Sequence, residues 1–183
     1  MFEELEEKQI SSTQVYDGRL LKVYKDDVLL PDGTRGAREY IVHNGASCVV
    51  PLTENGEVLM VRQFRYPFKE AMLEVPAGKR DSAEEDPFDA AVRELKEETG
   101  ATAKEMIPLG YVCPSVAYTT EKIWIYLARG LSFGDIKLDE DEFLNVERIP
   151  FDKAVDMVMS GEITDSKTVA ALLKANYYLG EKK

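Results

Sequence analysis

The chain has few of the residues from which many functional sites are built. It holds one histidine, His43, and two cysteines, Cys48 and Cys113, among 183 residues. Two distant thiols make neither a zinc ligand set nor a disulfide framework, and they suit a reducing compartment. A lone histidine argues against mechanisms built on a histidine cluster, so His43 is read as a structural or surface residue. Positive charge is in deficit: 23 Lys and Arg face 34 Asp and Glu, a formal net charge of −11. Such a surface repels phosphate backbones, so no nucleic-acid partner and no anionic membrane surface is expected. No apolar run approaches the roughly 18 residues that span a bilayer. The Glu-rich stretch Met1 to Lys8 lacks an apolar signal core, which points to a cytoplasmic location. Internal repeats, low-complexity tracts and long linkers are also missing. Hydrophobic residues make up 44%, enough for a packed core, and the length fits one domain with a small appendage.

Patterning predicts strands over residues 19–30, 35–43, 47–52, 58–64, 107–112 and 122–128. Turns are expected at Pro31-Asp32-Gly33 and Glu54-Asn55-Gly56, the second because Asn-Gly tolerates the positive φ of a hairpin. Helical spacing covers 86–99, 151–160 and 166–179. The first stops at Gly100 and the last has Asp165 as an N-cap. Strands early and helices interspersed later predict a mixed α+β sandwich rather than a doubly wound parallel sheet.

The helix at 86–99 carries its charge at the wrong end. On a helical wheel Phe88, Val92, Leu95 and Thr99 share one side. Glu94, Glu97 and Glu98 share another, with Ala90 and Ala91 beside them leaving the arc open. The macrodipole disfavours carboxylates in the last turns by about 0.3–1 kcal/mol each, and like-charged neighbours add about 0.2–0.5 kcal/mol. Arg93 and Lys96 point away from this arc and compensate only partly. A solvated acidic face is one explanation. The other is a site for a hard divalent cation such as Mg²⁺, which takes oxygen ligands and bridges carboxylates to substrate phosphates.

The segment from Gly78 to Ala101 resembles the Nudix box, G-x5-E-x7-R-E-U-x-E-E-x-G-U with U apolar. Arg93-Glu94-Leu95-Lys96-Glu97-Glu98-Thr99-Gly100-Ala101 matches its distal half without gaps, and seven residues separate Glu85 from Arg93. Six residues rather than five lie between Gly78 and Glu85, read as a one-residue loop insertion. Leu73-Glu74-Val75-Pro76-Ala77-Gly78-Lys79, Val61 to Pro67, Asp139 to Phe143, Ser160 to Ile163 and Asp165 to Thr168 resemble ADP-ribose pyrophosphatases of that superfamily. Pro114-Ser115-Val116-Ala117-Tyr118-Thr119-Thr120-Glu121 departs from the subfamily's P-S-P-G-F-[ST]-[DE]-E, and that loop borders the substrate in similar enzymes.

The resemblance implies a Nudix fold, a mixed sheet between helices. It implies an N-terminal antiparallel β subdomain over 1–44 that forms a homodimer through the 19–43 hairpin, and a hydrolase domain over 45–183. It implies Mg²⁺, with Mn²⁺ as a substitute, held by Glu94, Glu98 and the Ala77 carbonyl with Glu97 supporting. Pro76 and Gly78 would hold that carbonyl, Gly by permitting unusual backbone angles. Arg93 would tie Glu85 to the helix. A general base would come from the late acidic loop, Glu140 first and Glu142 second. Arg65 or Arg62 would contact phosphate, and on a strand the two face opposite sides. Glu74 would orient the ribose or a metal-bound water, Glu121 would contact the substrate, and Tyr40 or Tyr24 would stack on adenine or simply pack. The activity implied is hydrolysis of ADP-ribose to AMP and ribose 5-phosphate. Alternatives are another nucleoside diphosphate sugar, a diadenosine polyphosphate, or a noncatalytic ADP-ribose sensor.

Overall fold

A computed structural model describes residues 3–135 and 143–181. The chain forms two compact units, Met1–Asn44 with Ser115–Glu121, and Gly45–Pro114 with Lys122–Lys183.

In the first unit, β1 (Lys8–Asp17), β2 (Lys22–Leu29) and β3 (Arg35–Val42) form an antiparallel sheet in sequence order. β1 escapes a reading for alternation because Lys8–Asp17 is exposed at every position and largely polar. Its backbone is committed by pairing with β2 rather than by an apolar face. The segment 115–121 joins this unit through backbone hydrogen bonds, Ile41 to the Tyr118 carbonyl (2.8 Å) and Thr120 to the Ile41 carbonyl (2.9 Å).

Among the described residues the second unit holds seven strands and three helices. They are β4 (Ala46–Pro51), β5 (Glu57–Arg65), β6 (Glu70–Glu74), β7 (Ala77–Lys79), α1 (Pro87–Thr99), β8 (Ala101–Val112), β9 (Ile123–Phe133), β10 (Leu144–Pro150), α2 (Phe151–Ser160) and α3 (Ser166–Glu181). One sheet runs β7-β4-β9-β8 and is mixed, with β4 and β9 parallel; the other runs β10-β5-β6 and is antiparallel. The expected α+β sandwich is therefore observed.

The pleat divides the core in two. Every residue of β4 is buried, as expected of a strand covered on both faces. Val49, Leu59, Tyr126 and Ala128 pack with Ala91 and Leu95 of α1 on one side. Their neighbours Cys48, Val50, Val58, Met60, Ile125 and Leu127 pack with α2 and α3 residues such as Ala154, Met157, Ala171 and Leu172 on the other. A period of two thus feeds two helical layers from one strand. At about 25 cal/mol per Å² of buried apolar surface, filling both layers is the main stabilising contribution.

α1 begins where Asp86 accepts the Phe88 N–H at 2.8 Å, with Pro87 at its first position, and it ends at Gly100 in the left-handed region (φ +67°). Side chains at Gly100 are excluded twice, by that φ and by the Gly134 carbonyl lying where a Cβ would go. The buried face of α1 takes in part of the acidic arc. Ala90, Ala91, Glu94, Leu95, Glu98 and Thr99 point inward, whereas Phe88 and Val92 are exposed. Helical rotation placed the acids on one arc correctly, but it could not say that β7 covers that arc.

Candidate active site

Two carboxylates of α1 are buried against β7. Glu98 is 2% exposed and Glu94 is 7% exposed. Glu98 Oε2 accepts the Ala77 N–H at 3.0 Å. Glu94 lies against the α-carbon of Gly78, so that a Cβ at position 78 would overlap its carboxylate. Gly78 does not have a positive φ. It is required for the space it leaves, which corrects the expectation that it supplies unusual backbone angles.

Glu97 takes a different part. It stands half-buried and pairs with Arg93 at 3.2 Å. Arg93 does not point away from the acids. Its Nη1 also donates to Glu94 Oε1 (2.6 Å), its Nε to Glu85 Oε1 (3.3 Å) and its Nη2 to the Lys79 carbonyl (3.0 Å). The wheel located its Cβ; the long side chain then folds back over the arc. Burial works against the Arg93 charge, but the Glu94 and Glu85 carboxylates outweigh it and raise its pKa. Glu85 is held below its usual value: desolvation opposes this, and the Asp81 N–H and Arg93 overcome it.

Among the described residues no group of three or more His, Cys, Asp or Glu side chains converges as a preformed metal cluster. The donors that do converge are all oxygens: two buried carboxylates beside the backbone of Ala77. That set fits a hard cation which uses one or two carboxylates and draws its other ligands from water, main chain and phosphate. The Cys48 thiol adds no thiolate ligand, because burial pushes its pKa up to about 12.

A second charged network lies in the same unit. Arg65 donates Nε and Nη2 to the two oxygens of Glu74, both at 2.6 Å. Glu74 is 2% exposed and is also paired with Lys167, which contacts Asp165 at 2.8 Å. Asp165 caps α3, accepting the Thr168 N–H (3.0 Å) and hydroxyl (2.6 Å), and the Thr168 hydroxyl accepts the Val75 N–H (3.0 Å). Burial raises the Asp165 pKa, but Lys167 and the Thr168 donors together outweigh it, so the net shift is downward. Desolvation depresses Lys167 less than Asp165 and Glu74 raise it. Arg65 is raised by Glu74 against desolvation, with smaller contributions from Asp165 and Glu98. Lys167 was missed from sequence: it pairs with a residue 93 positions away, and no spacing rule connects them.

Arg62 leaves β5 in another direction, paired with Glu147 at 2.5 Å. Tyr40 and Glu121 belong to the first unit. Tyr40 stacks on Tyr24 (centroids 5.9 Å apart, planes at 22°) and donates to Asp26 at 3.1 Å. Glu121 lies 3.7 Å from His43. Glu140 and Glu142 lie outside the described residues.

Residues 42–172 match the NUDIX domain model. The chain belongs to the Nudix family. Residues 7–41 match the nucleoside diphosphate sugar hydrolase N-terminal domain. This Nudix protein is 39% identical to an ADP-ribose pyrophosphatase of Bacillus subtilis (strain 168), covering 92% of this chain and 91% of that one. It is 40% identical to the methanol dehydrogenase activator of Bacillus methanolicus, with 91% of both chains covered. A solved ADP compounds hydrolase superposes with a TM-score of 0.87 at 25% identity, covering 97% of both chains. Nudix hydrolases generally use a divalent metal. No helix among the described residues is long and apolar enough to cross a membrane.

Proposed function

We propose that this Nudix protein hydrolyses the diphosphate of ADP-ribose to AMP and ribose 5-phosphate with Mg²⁺, Mn²⁺ being a substitute. The observation that carries this reading is the pair Glu94 and Glu98, buried against Ala77 and Gly78. Burying two carboxylates in the C-terminal half of a helix is costly, and a divalent cation would add positive charge to that which Arg93 brings to Glu94. The ADP-ribose pyrophosphatase relative supports the choice of substrate.

Glu94, Glu98 and the Ala77 carbonyl would hold the cation, with Glu97 supporting. When bound, it offsets the negative charge of the diphosphate and eases deprotonation of the attacking water. Arg93 keeps the acidic side of α1 partly neutralised and joins it to Glu85. Arg65, fixed by Glu74, offers its remaining guanidinium edge to phosphate oxygens. Arg62 is engaged by Glu147 and is the weaker candidate for that contact. Glu140, with Glu142 second, is assigned the proton of the attacking water. Water adds to one phosphorus as the bridging P–O bond breaks, and the departing phosphate takes the charge. Tyr40 is assigned to adenine stacking and Glu121 to substrate contact.

We assign the protein to the cytoplasm, and residues 1–44 to homodimer formation. β1 supports the dimer: it is exposed along its length, with Ile10, Val15 and Tyr16 facing solvent, and such edges invite pairing. Sedimentation showing a monomer would remove that part of the proposal.

Incubation with ADP-ribose and Mg²⁺, followed by chromatography, should yield AMP and ribose 5-phosphate. Unchanged substrate with demonstrably folded protein would count against the assignment. A panel of other nucleoside diphosphate sugars and a diadenosine polyphosphate sets the specificity. The Bacillus methanolicus relative favours a second reading, action on another enzyme. That reading is distinguished by needing a partner protein for any effect.

A further inference from the structure

Lys167 is a buried cation in an awkward place. It is the second residue of α3, where the helix macrodipole disfavours positive charge. It lies among Glu74, Asp165 and the buried thiol of Cys48. Buried ion pairs can commonly be replaced by apolar groups without loss of stability, so stability alone does not explain a lysine here. Its connections do. Lys167 binds the same Glu74 oxygen, Oε2, that accepts from Arg65 Nη2. Glu74 in turn grips Arg65 along one edge only, through Nε and Nη2. Arg65 is the half-exposed end of this chain of charges, with its side chain 39% accessible. Asp165 and Thr168 lock the same helix turn to Val75, next to Glu74.

We propose that Lys167 is a positioning residue for the diphosphate: through Glu74 it fixes the Arg65 guanidinium so that its outer edge meets the phosphate oxygens. The inference rests on the hydrolase reading above. Two cations share one carboxylate. Lys167 holds Glu74 from the interior side, which leaves the carboxylate plane one orientation in which to accept both Arg65 donors. Without that anchor Glu74 can rotate, and the Arg65 fork turns with it. Arg65 contacts an anion present in ground and transition states alike, so a loss of alignment appears in KM rather than kcat.

The test is a double-mutant cycle with Lys167→Met, Arg65→Ala and the combined variant, measured by steady-state hydrolysis of ADP-ribose with Mg²⁺. Each single variant should raise KM about tenfold with kcat within about threefold. The combined variant should be no worse than Arg65→Ala, because Lys167 then has nothing left to position. A merely structural lysine would give effects that multiply. Multiplying effects, a fall in kcat at unchanged KM, or an unchanged KM in Arg65→Ala would each overturn the proposal. Should Lys167→Met fail to fold, Lys167→Gln keeps a donor to Glu74 without the charge and should give a smaller rise in KM, again absent when Arg65 is Ala. If the wild-type protein cleaves no nucleoside diphosphate, the function fails separately. The same cycle read on the dissociation constant for inorganic pyrophosphate then decides the role of Lys167.

Discussion

Substituting Gly78 by Ala isolates the contact on which the acidic pair depends. The Gly78 backbone is ordinary, so alanine is acceptable on conformational grounds and the whole effect is steric. The added Cβ would overlap the Glu94 carboxylate, all of whose atoms lie within its reach. Restoring van der Waals contact of about 3.5 Å requires a displacement of about 1 Å or more. Glu94 is 7% exposed and held by Arg93, so it cannot retreat freely. The alternative, moving β7, would disturb the register Ala46–Lys79, Ser47–Gly78 and Cys48–Ala77. Overpacking of this kind costs about 1–3 kcal/mol. With about 2–4 °C lost per kcal/mol in a chain of this size, the melting temperature should fall modestly. Activity should suffer more, because a displacement of about 1 Å in a catalytic group can cost about 100-fold. The assay is ADP-ribose turnover with Mg²⁺ beside thermal melting. Combining Gly78→Ala with Glu94→Asp shortens the acid by one methylene and should recover the melting temperature but not the rate. A Gly78→Ala protein with wild-type turnover would refute the reasoning, since it would mean that Glu94 need not occupy that cradle.

Glu98→Gln should cut turnover by orders of magnitude while leaving the melting temperature nearly unchanged, since a Gln carbonyl still accepts the Ala77 N–H; a near-normal rate would remove Glu98 from the mechanism. Adding Mg²⁺ should raise the melting temperature and a chelator should reverse the rise, as expected when an ion binds only the folded chain; no shift at millimolar-range excess would count against the cation site. The pH dependence follows from three groups. Asp165 and Glu85 sit below their usual 3.8 and 4.5, so their contributions are complete above those values and are lost as pH falls through the lower folded pKa values. Lys167 sits above its usual 10.5, so its contribution is complete below that value and is lost as pH rises through the raised folded pKa. Melting temperature should therefore be flat between about pH 5 and pH 9 as far as these groups decide it, and fall beyond both ends. A decline between those limits in wild type that vanished in Lys167→Met would contradict the assigned charge states.

Most of the site's chemistry could be read from residue order. Glu94, Glu97 and Glu98 share an arc because helical rotation is local, and Asp86, Pro87 and Gly100 delimit α1 by capping rules that act within a few residues. The same locality explains the apolar strands β4, β5 and β9, and the cap of α3 at Asp165. Four strands were not legible. β1 is polar and exposed throughout, β6 and β7 have five and three residues, and β10 carries a mixture of polar and apolar types; each is a strand because a neighbour pairs with it.

What the amino-acid order determined by itself is the inventory: an acidic helix, a glycine before it, an arginine on a strand, and no imidazole or thiol set to compete for a metal. Tertiary structure alone decided which acids are buried. β7 covers Glu94 and Glu98 and leaves Glu97 to Arg93, and α3 delivers Lys167 to Glu74 across 93 positions. The physical reason is one of range. Turns, caps and helical faces are set by bonds spanning a few residues, whereas burial and charge pairing depend on which distant backbone comes to lie on top.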